Sequence, residues 1–222
     1  GEKFLRNQLK SIFSQTLPIN ELIICDDCST DNTLELVHFY KDKYPGLIHL
    51  YQNKKPLGTI KNFEKAISLT KGDLIFLADQ DDIWYNSKVE IMSNFFQQHS
   101  NCKLLFSDGE LIDENGNNLN ATLWQKWNFS IDIQNKWINN NNAFFDLLEN
   151  KNKITGATLC FRRELKREMP IFGYQFLYHD AFLGIHAAAQ DGLFFINQSL
   201  IQYRIHDKQQ VGVSNNLSVD EF

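Results

Sequence analysis

Apolar positions in the first hundred residues of the chain follow two spacings in turn. Near the start they recur every three or four positions, which predicts an amphipathic helix. Short continuous apolar runs, typical of buried strands, then alternate with further helical stretches. The predicted order is helix 2–15, strand 21–25, helix 33–44, strand 47–51, helix 60–71, strand 74–78 and a helix that begins at the capping-box sequence Ser87–Glu90. This alternation predicts an α/β fold, with a mixed and mostly parallel central sheet flanked by helices.

The pattern changes after about residue 100. Residues 102–106 are another strand-like run, and Asn115–Gly116 is a hairpin signal, so antiparallel strands are expected to extend the sheet. Residues 121–142 contain three tryptophans and a run of asparagines without clean periodicity. Because long segments of this kind usually form lids or binding loops, we interpret residues 121–142 as a functional loop or subdomain.

The start of the chain departs from the usual order of such a sheet. An α/β sheet of this kind begins with a strand, whereas a helix is predicted here within a few residues of Gly1. We therefore expect the first strand of the sheet to lie outside this sequence.

Composition narrows the class of protein. The 222 residues, 43% of them hydrophobic, predict one domain with a substantial core. A formal net charge of -5 without a stripe of lysine and arginine argues against nucleic acid as the main partner. The sequence has neither an apolar run of membrane-spanning length nor a signal-peptide pattern, so a cytoplasmic location is expected. The four cysteines are interpreted as reduced and structural.

Acidic side chains directly follow two of the predicted strands, at Asp26–Asp27 and at Asp79–Asp82. Carboxylates packed this closely repel one another unless a cation lies among them, and oxygen ligands suit a divalent metal. Open parallel sheets bind ligands beyond the carboxyl ends of their strands, so both acidic groups would line one crevice if the strands are neighbours. The alternatives are a helix cap at Asp26–Asp27 and a solvated turn at Asp79–Asp82.

Four segments together resemble the family 2 glycosyltransferases, which are inverting enzymes that use nucleotide sugars. These segments are Phe4–Ser14, Ile23–Asp31, Gly72–Trp84 and Tyr203–His206, in this order along the chain. The resemblance implies the glycosyltransferase A fold, a Rossmann-like fold of nucleotide-diphospho-sugar transferases. It also implies a nucleotide-sugar-binding half at residues 1–100 and an acceptor-binding half at residues 101–222 of the same domain.

The resemblance assigns five residues to the donor and to a metal. Asp79–Gln80–Asp81 falls at the D-x-D position, where similar enzymes hold Mg²⁺ or Mn²⁺ on the diphosphate. Asp81 is the expected metal ligand, while Asp79 and Gln80 are expected to bind the nucleotide sugar, Asp79 near the ribose. Asp27 falls where similar enzymes hydrogen-bond the nucleotide base. Lys61 falls where a basic residue approaches the nucleotide, although a surface lysine on a helix would give the same pattern.

Two later segments complete the expected site. Asp180 falls at the position of the catalytic base, and the start of a helix there would keep its carboxylate ionised. Asp is also a common helix cap, which is the alternative interpretation. Arg204 and His206 resemble the late loop that closes on the diphosphate. Arg204 is expected to bind the nucleotide sugar, and His206 to ligate the metal or to bond a phosphate oxygen.

The expected function is a metal-dependent transferase of hexosyl- or rhamnosyltransferase type in bacterial surface polysaccharide synthesis. It would move a sugar from a nucleoside-diphosphate sugar to a hydroxyl of a glycan or lipid-linked glycan, in the cytoplasm or as a peripheral protein at the inner face of the membrane. Two other classes fit part of the pattern. A phosphoacceptor signalling domain also places acids around Mg²⁺ but needs only about half this length. A non-catalytic carbohydrate-binding module would use the tryptophans without any nucleotide.

Overall fold

The computed structural model describes residues 1–140, 142–150, 152–167, 178–207 and 209, without the side chain of residue 140. The first part of the chain alternates helix and strand, as the apolar pattern predicts. Its elements are α1 (Glu2–Phe13), β1 (Leu22–Asp26), α2 (Thr33–Lys43), β2 (Ile48–Gln52), α3 (Thr59–Leu69), β3 (Leu74–Phe76), β4 (Ile83–Trp84) and α4 (Lys88–Gln98).

The second part of the chain begins with a long strand and continues with short helices. Its elements are β5 (Leu104–Ile112), β6 (Asn118–Thr122), α5 (Leu123–Lys126), α6 (Ile131–Asn140), α7 (Ala143–Glu149), a 3₁₀ turn (Gly156–Thr158), β7 (Leu159–Arg162), α8 (Arg163–Lys166), α9 (His179–Ala188) and β8 (Leu193–Arg204). Among the helices described here, none is long and apolar enough to cross a membrane. Residues 168–177 and 210–222 of the expected acceptor-binding half lie outside the described residues.

Two sheets form the centre of the fold. β1 and β2 make a parallel pair, and a six-stranded sheet has the order β3-β7-β5-β8-β4, with β6 also paired to β5. Two of the pairings between described strands are parallel and four are antiparallel. The α/β fold class is confirmed, but the sheet is less parallel than the pattern predicts. Part of the reason is the predicted turn at Asn115–Gly116, because such a short connection permits only antiparallel pairing of β5 and β6.

The start of α4 was predicted at the right residue, but the predicted capping-box hydrogen bond of Ser87 is absent. Ser87 is the N-cap residue, but its side chain makes no capping hydrogen bond. Instead, the amide of Val89 donates to the side-chain oxygen of Gln15, 2.9 Å away, in the segment after α1. A distant residue thus satisfies the helix start that Ser87 was expected to satisfy locally.

The tryptophan-rich segment is mostly helical, and it buries a few large side chains while much of its surface stays exposed. The end of β6 and the helices α5 and α6 occupy most of residues 121–142, where a functional loop or subdomain was expected. Trp124 and Trp137 are only 5% and 6% exposed and pack around Phe106 of β5. The segment lacks clean periodicity because its helices are short and bury large aromatic rings instead of one regular stripe. Whether this half binds an acceptor stays a prediction.

The six-stranded sheet carries the main core. Leu104, Phe106, Leu159 and Phe161 on β5 and β7 have no exposed surface and belong to one apolar cluster. Burial of one such side chain stabilises the fold by about 1.5–3 kcal/mol. The packed sheet therefore fixes the ends of β3, β4 and β8, where the expected site residues lie.

Candidate functional site

The acidic loop, residues 79–82, connects β3 to β4 and contacts the segment after β8. His206 reaches this loop across 125 positions of sequence, and its Nε2 lies 2.8 Å from Oδ2 of Asp81. The side-chain amide of Gln80 donates to the same Asp81 oxygen over 3.0 Å. The structure thus brings together the two residues expected to ligate a metal.

The Asp81–His206 pair suits a divalent cation in its chemistry. The two side chains bond each other directly over 2.8 Å, so a cation would have to take the place of that hydrogen bond. A carboxylate suits Mg²⁺ or Mn²⁺ and an imidazole favours transition metals, so Mn²⁺ fits the pair better of the two ions. No group of three or more His, Cys, Asp or Glu side chains within the described residues could hold a metal ion. An ion held here would need further oxygen ligands from its substrate.

Asp82 and Arg204 hold the acidic loop in place. Oδ1 of Asp82, which has no exposed surface, accepts the backbone N–H of Arg204 over 3.0 Å. The Arg204 Nε donates to the carbonyl of Asp81 over 2.8 Å, and its Nη1 donates to the carbonyl of Asp113 over 3.0 Å. Phe4 of α1 packs 4.7 Å from the guanidinium carbon of Arg204 and 4.9 Å from the His206 ring. Arg204 therefore positions the loop through backbone carbonyls, and its direct binding of a nucleotide sugar stays a prediction.

Burial raises the proton affinity of the acidic loop. The pKa of Asp79 is raised to about 7, first by burial and then by the charges of Asp81 and Asp180. The pKa of Asp82 is raised well above its ordinary value by burial and then by the charges of Asp79 and Asp81. Positive charge placed among crowded carboxylates of this kind favours their anionic form at neutral pH.

Lys88 is a buried cation beside this loop, and the sequence interpretation did not single it out. Its Nζ donates to the carbonyl of Ala157 over 2.6 Å and lies 4.1 Å from the centre of the Trp84 ring. Burial lowers the pKa of Lys88 to about 7, while the negative charges of Asp82 and Asp79 oppose that shift. A lysine in the first turn of a helix is disfavoured by the helix dipole, which was the one available sequence signal.

Asp180 lies near the N-terminus of α9, and its carboxylate is held from two sides. Oδ1 accepts the amide of Ala181 over 2.7 Å, and Oδ2 accepts the amide of Gly156 over 3.2 Å. Burial raises the pKa of Asp180 to about 6 although these backbone hydrogen bonds lower it. The backbone hydrogen bonds at the helix start act in the expected direction, but burial outweighs them, so the pKa lies above its ordinary value. Asp180 stays ionised at neutral pH but close to its pKa, as a general base requires.

A buried histidine precedes Asp180 in α9. The His179 ring stacks on Phe63 of α3, with ring centres 4.1 Å apart. Within the described residues, its Nδ1 is buried without a hydrogen-bond partner. Burial lowers the pKa of His179 to about 4, so the ring is neutral at physiological pH. The sequence interpretation assigned no role to this histidine, and its contact with α3 connects the two halves of the chain.

Asp27, the expected ligand of the nucleotide base, lies in a network of hydrogen-bond donors at the end of β1. Oδ1 accepts the Asn53 side-chain amide and the Leu57 backbone amide, both over 2.7 Å, and Oδ2 accepts the Gly58 amide over 2.9 Å. Burial alone would raise its pKa, but the hydrogen bonds from Leu57, Asn53 and Gly58 bring it below the ordinary value. Asp26 accepts the amide of Ser29 and shapes the adjacent loop, but it does not cap α2, whose N-cap residue is Asn32.

Lys61 and Lys65 occupy successive turns of α3 but differ in their contacts. Lys65 donates to the side-chain oxygen of Asn53 over 2.6 Å and so joins the Asp27 network. Lys61 is exposed. The lysine that the structure brings to Asp27 is therefore Lys65, and a nucleotide contact by Lys61 stays a prediction.

Comparison with solved structures identifies the fold class of this chain. TarS of S. aureus, solved with UDP-GlcNAc, matches with a TM-score of 0.67 at 18% identity, over 96% of this chain and 58% of that one. A mannosyltransferase of Pyrobaculum calidifontis, solved with GDP-Man and Mn²⁺, matches with a TM-score of 0.59 at 16% identity, over 88% of this chain and 50% of that one. The chain has the glycosyltransferase A fold.

The sequence identifies the family more narrowly. Residues 1–162 match the model of Glycosyl transferase family 2, and the chain belongs to this family. A dTDP-rhamnosyl transferase of Shigella flexneri is 38% identical over 94 residues, which are 40% of this chain and 32% of that protein. The chain spans less than half the length of the first curated relatives it matches. Asp180, Arg204 and His206 lie beyond the matched range, so their roles depend on the geometry above.

Proposed function

We propose that this chain transfers a sugar, with inversion, from a nucleoside-diphosphate sugar to a hydroxyl group of a glycan acceptor. The observation that carries the proposal is the meeting of Asp81 and His206 at 2.8 Å in a loop whose other carboxylates have raised pKa values. Such a loop needs a cation, and a cation held there would face an anionic ligand. A diphosphate is the anionic group that this family's donors carry.

The chemistry is a single displacement in which Asp180 is the base. Its carboxylate takes the proton of the acceptor hydroxyl as that oxygen forms a bond to the anomeric carbon. The bond from that carbon to the diphosphate oxygen breaks, and its electron pair leaves with the nucleoside diphosphate. The pKa of Asp180, about 6, supports this role because the residue is ionised at neutral pH and still accepts a proton readily.

The remaining residues hold the donor. Asp81 and His206 would hold Mn²⁺ or Mg²⁺, which supplies charge compensation for the leaving diphosphate. Asp79 and Gln80 are proposed to bind the nucleotide sugar beside the metal, and Asp27 to accept a hydrogen bond from the base. Asp27 remains a stable anion, because its pKa lies below the ordinary value.

Three further proposals concern the remaining donor contacts and the biological setting. Lys61 and Arg204 are proposed to contribute positive charge to the donor side of the site. The acceptor is proposed to be a glycan or a lipid-linked glycan of a bacterial surface polysaccharide. The protein is proposed to act in the cytoplasm, or peripherally at the inner face of the membrane.

A thermal-shift screen tests the proposal directly. UDP-, dTDP- and GDP-sugars are each added with and without Mn²⁺, since a ligand that binds only the folded state raises the unfolding temperature. We expect a metal-dependent shift with one nucleotide, loss of the metal dependence in Asp81→Asn, and an unchanged response in the exposed control Asp42→Asn. A wild-type chain that responds to none of them contradicts the proposal. Stable labelling of Asp79 by acetyl phosphate would instead support a phosphoacceptor, and glycan binding without any nucleotide response a binding module.

A further inference from the structure

A cavity of about 610 Å³ opens between α6 and α7 in the second part of the chain. Its lining contains three lysines, Lys126, Lys136 and Lys153, and one acid, Asp146. For a chain with a formal net charge of -5, this is a local concentration of positive charge. The cavity is separate from the acidic loop and shares no lining residue with it.

The positive charge of this cavity is not neutralised by the protein around it. No ion pair of Lys126, Lys136 or Lys153 occurs within the described part of the chain. Lys153 is only 8% exposed, and its Nζ donates to the backbone carbonyl of Trp127 over 3.0 Å. A buried ammonium group whose acceptor is neutral has no counter-ion, so a bound anion would stabilise it.

The single acid of the cavity is already engaged. Oδ2 of Asp146 accepts the indole N–H of Trp137 over 3.0 Å, and its Oδ1 accepts the side-chain amide of Asn150 over 2.9 Å. The three lysines and the one aspartate leave the lining with a formal charge of +2, and Asp146 forms no ion pair with the lysines among the described residues. The cavity therefore offers positive charge to a ligand from outside.

The other lining groups suit a sugar. Asn128 and Asn142 line the cavity together with Trp127, which is half-buried. Amides that donate and accept hydrogen bonds, placed beside an aromatic ring, are the groups that orient polar ligands with apolar faces. A charged sugar satisfies both the amides and the lysines.

The cavity is linked to the expected catalytic base through two hydrogen bonds. The indole N–H of Trp127 donates to the hydroxyl of Thr155 over 3.0 Å. The next residue, Gly156, donates its amide to Oδ2 of Asp180 over 3.2 Å. Thr155 and Gly156 therefore join the wall of the cavity to the carboxylate of Asp180.

We infer that this cavity binds an anionic portion of the acceptor, a glycan that carries phosphate or carboxylate groups. That the ligand is the acceptor rests on the proposed function. That the ligand is an anion rests on the lysines alone. A membrane surface is the rival ligand, because Ile131, Ile138, Phe145 and Leu148 are exposed on α6 and α7. A concave site with a buried lysine and amides favours the glycan.

Binding of defined oligosaccharides to the chain tests the inference. The probes are an oligogalacturonate, an oligosaccharide joined by phosphodiesters and a neutral maltooligosaccharide of equal length. Each is titrated by calorimetry against the wild type, Lys126→Gln/Lys136→Gln and the control Lys10→Gln/Lys41→Gln, which removes two exposed lysines from α1 and α2. We expect an anionic probe to bind the wild type more tightly than the neutral one. This preference should fall roughly three- to tenfold in the cavity variant, because each exposed charge contributes modestly, and should persist in the control.

The outcomes separate the possible sources and the two proposals. Preference for the carboxylate or the phosphodiester probe identifies the anion, and both results support the inference. Equal binding of neutral and anionic probes, or equal losses in the cavity variant and the control, overturns it. Loss of binding to phosphatidylglycerol vesicles without any effect on the oligosaccharides overturns it in favour of a membrane. If the anion preference persists while no nucleotide sugar shifts the unfolding temperature, the proposed function fails but the anion-binding role of the cavity is supported. If the double variant unfolds, Lys136→Gln alone repeats the test.

Discussion

Asp26–Asp27 and Asp79–Asp82 look alike in the sequence, since each follows an apolar strand, yet the structure gives them opposite electrostatic states. Asp27 accepts three hydrogen bonds from neutral donors, and its pKa lies below the ordinary value. Asp79 and Asp82 are buried among other carboxylates, and their pKa values are raised. The number of available donors decides which state a strand-end carboxylate adopts.

This difference in hydrogen-bond donors gives the two groups of carboxylates different roles. A carboxylate that backbone amides already stabilise can accept a hydrogen bond without any cation. Crowded carboxylates with few donors attract positive charge, whether from Lys88 inside the protein or from a metal at Asp81 and His206. Each of the four predictions below concerns either the crowded carboxylates or the hydrogen-bond network of Asp27.

Removal of the charge at Asp180, whose carboxylate adds to the crowding around Asp79, should have the largest effect. Asp180→Asn keeps the shape but cannot take a proton, so the rate of transfer should fall roughly 10²–10⁴-fold while donor affinity is unchanged. Initial rates and nucleotide-sugar titrations measure the two quantities, with Asp42→Asn as the control. Full activity of Asp180→Asn would show that another residue is the base.

Removal of the buried cation beside the acidic loop should cost stability. Lys88→Met removes a buried positive charge that interacts with Asp82 and Asp79, and it should lower the free energy of unfolding by about 3 kcal/mol. Urea denaturation compares this variant with Lys41→Met, an exposed lysine in α2. If both variants lose the same small amount, Lys88 does not compensate the loop.

The pH dependence of transfer should reveal the raised pKa of Asp180. Only the ionised carboxylate accepts a proton, so the rate should be nearly constant above pH 7 and should fall below the pKa of about 6. Far below that pH the rate should drop about tenfold per pH unit. Rates at saturating donor between pH 5 and pH 8 test this, with unfolding temperatures as the check on stability. A flat profile down to pH 5 would contradict the assignment.

The donor network of Asp27 should show the smallest effect. Asn53→Ala removes one donor to Asp27 and the acceptor of Lys65, which should lower the free energy of unfolding by about 1–2 kcal/mol. It should also weaken nucleotide binding modestly, because only the amides of Leu57 and Gly58 then hold Asp27 in place. Urea denaturation and nucleotide titration compare it with Asn101→Ala, an exposed asparagine in a turn. Identical behaviour of the two variants would mean that the network is dispensable.

Most of the fold and the place of the candidate site could be predicted from the sequence, because they depend on local features of the chain. Strand ends, helix periods and the spacing of acids depend on neighbours along the chain, so β1, β3 and the acidic loop were correctly located. The D-x-D pattern and the later His206 segment were also identified, and the structure brings Asp81 and His206 together. The capping bond of Ser87 was predicted incorrectly because Gln15, 74 positions from Val89, supplies the acceptor.

The sequence by itself determined the alternation of strands and helices, the family and the acids at the strand ends, because these depend on residue type and local spacing. Tertiary structure alone decided which acids are stable anions and which are crowded. Contacts between distant segments place Lys88 beside the acidic loop and Lys65 beside Asp27, and they bury Asp180. Desolvation and hydrogen-bond partners set the pKa of a carboxylate, and neither exists until the chain has packed.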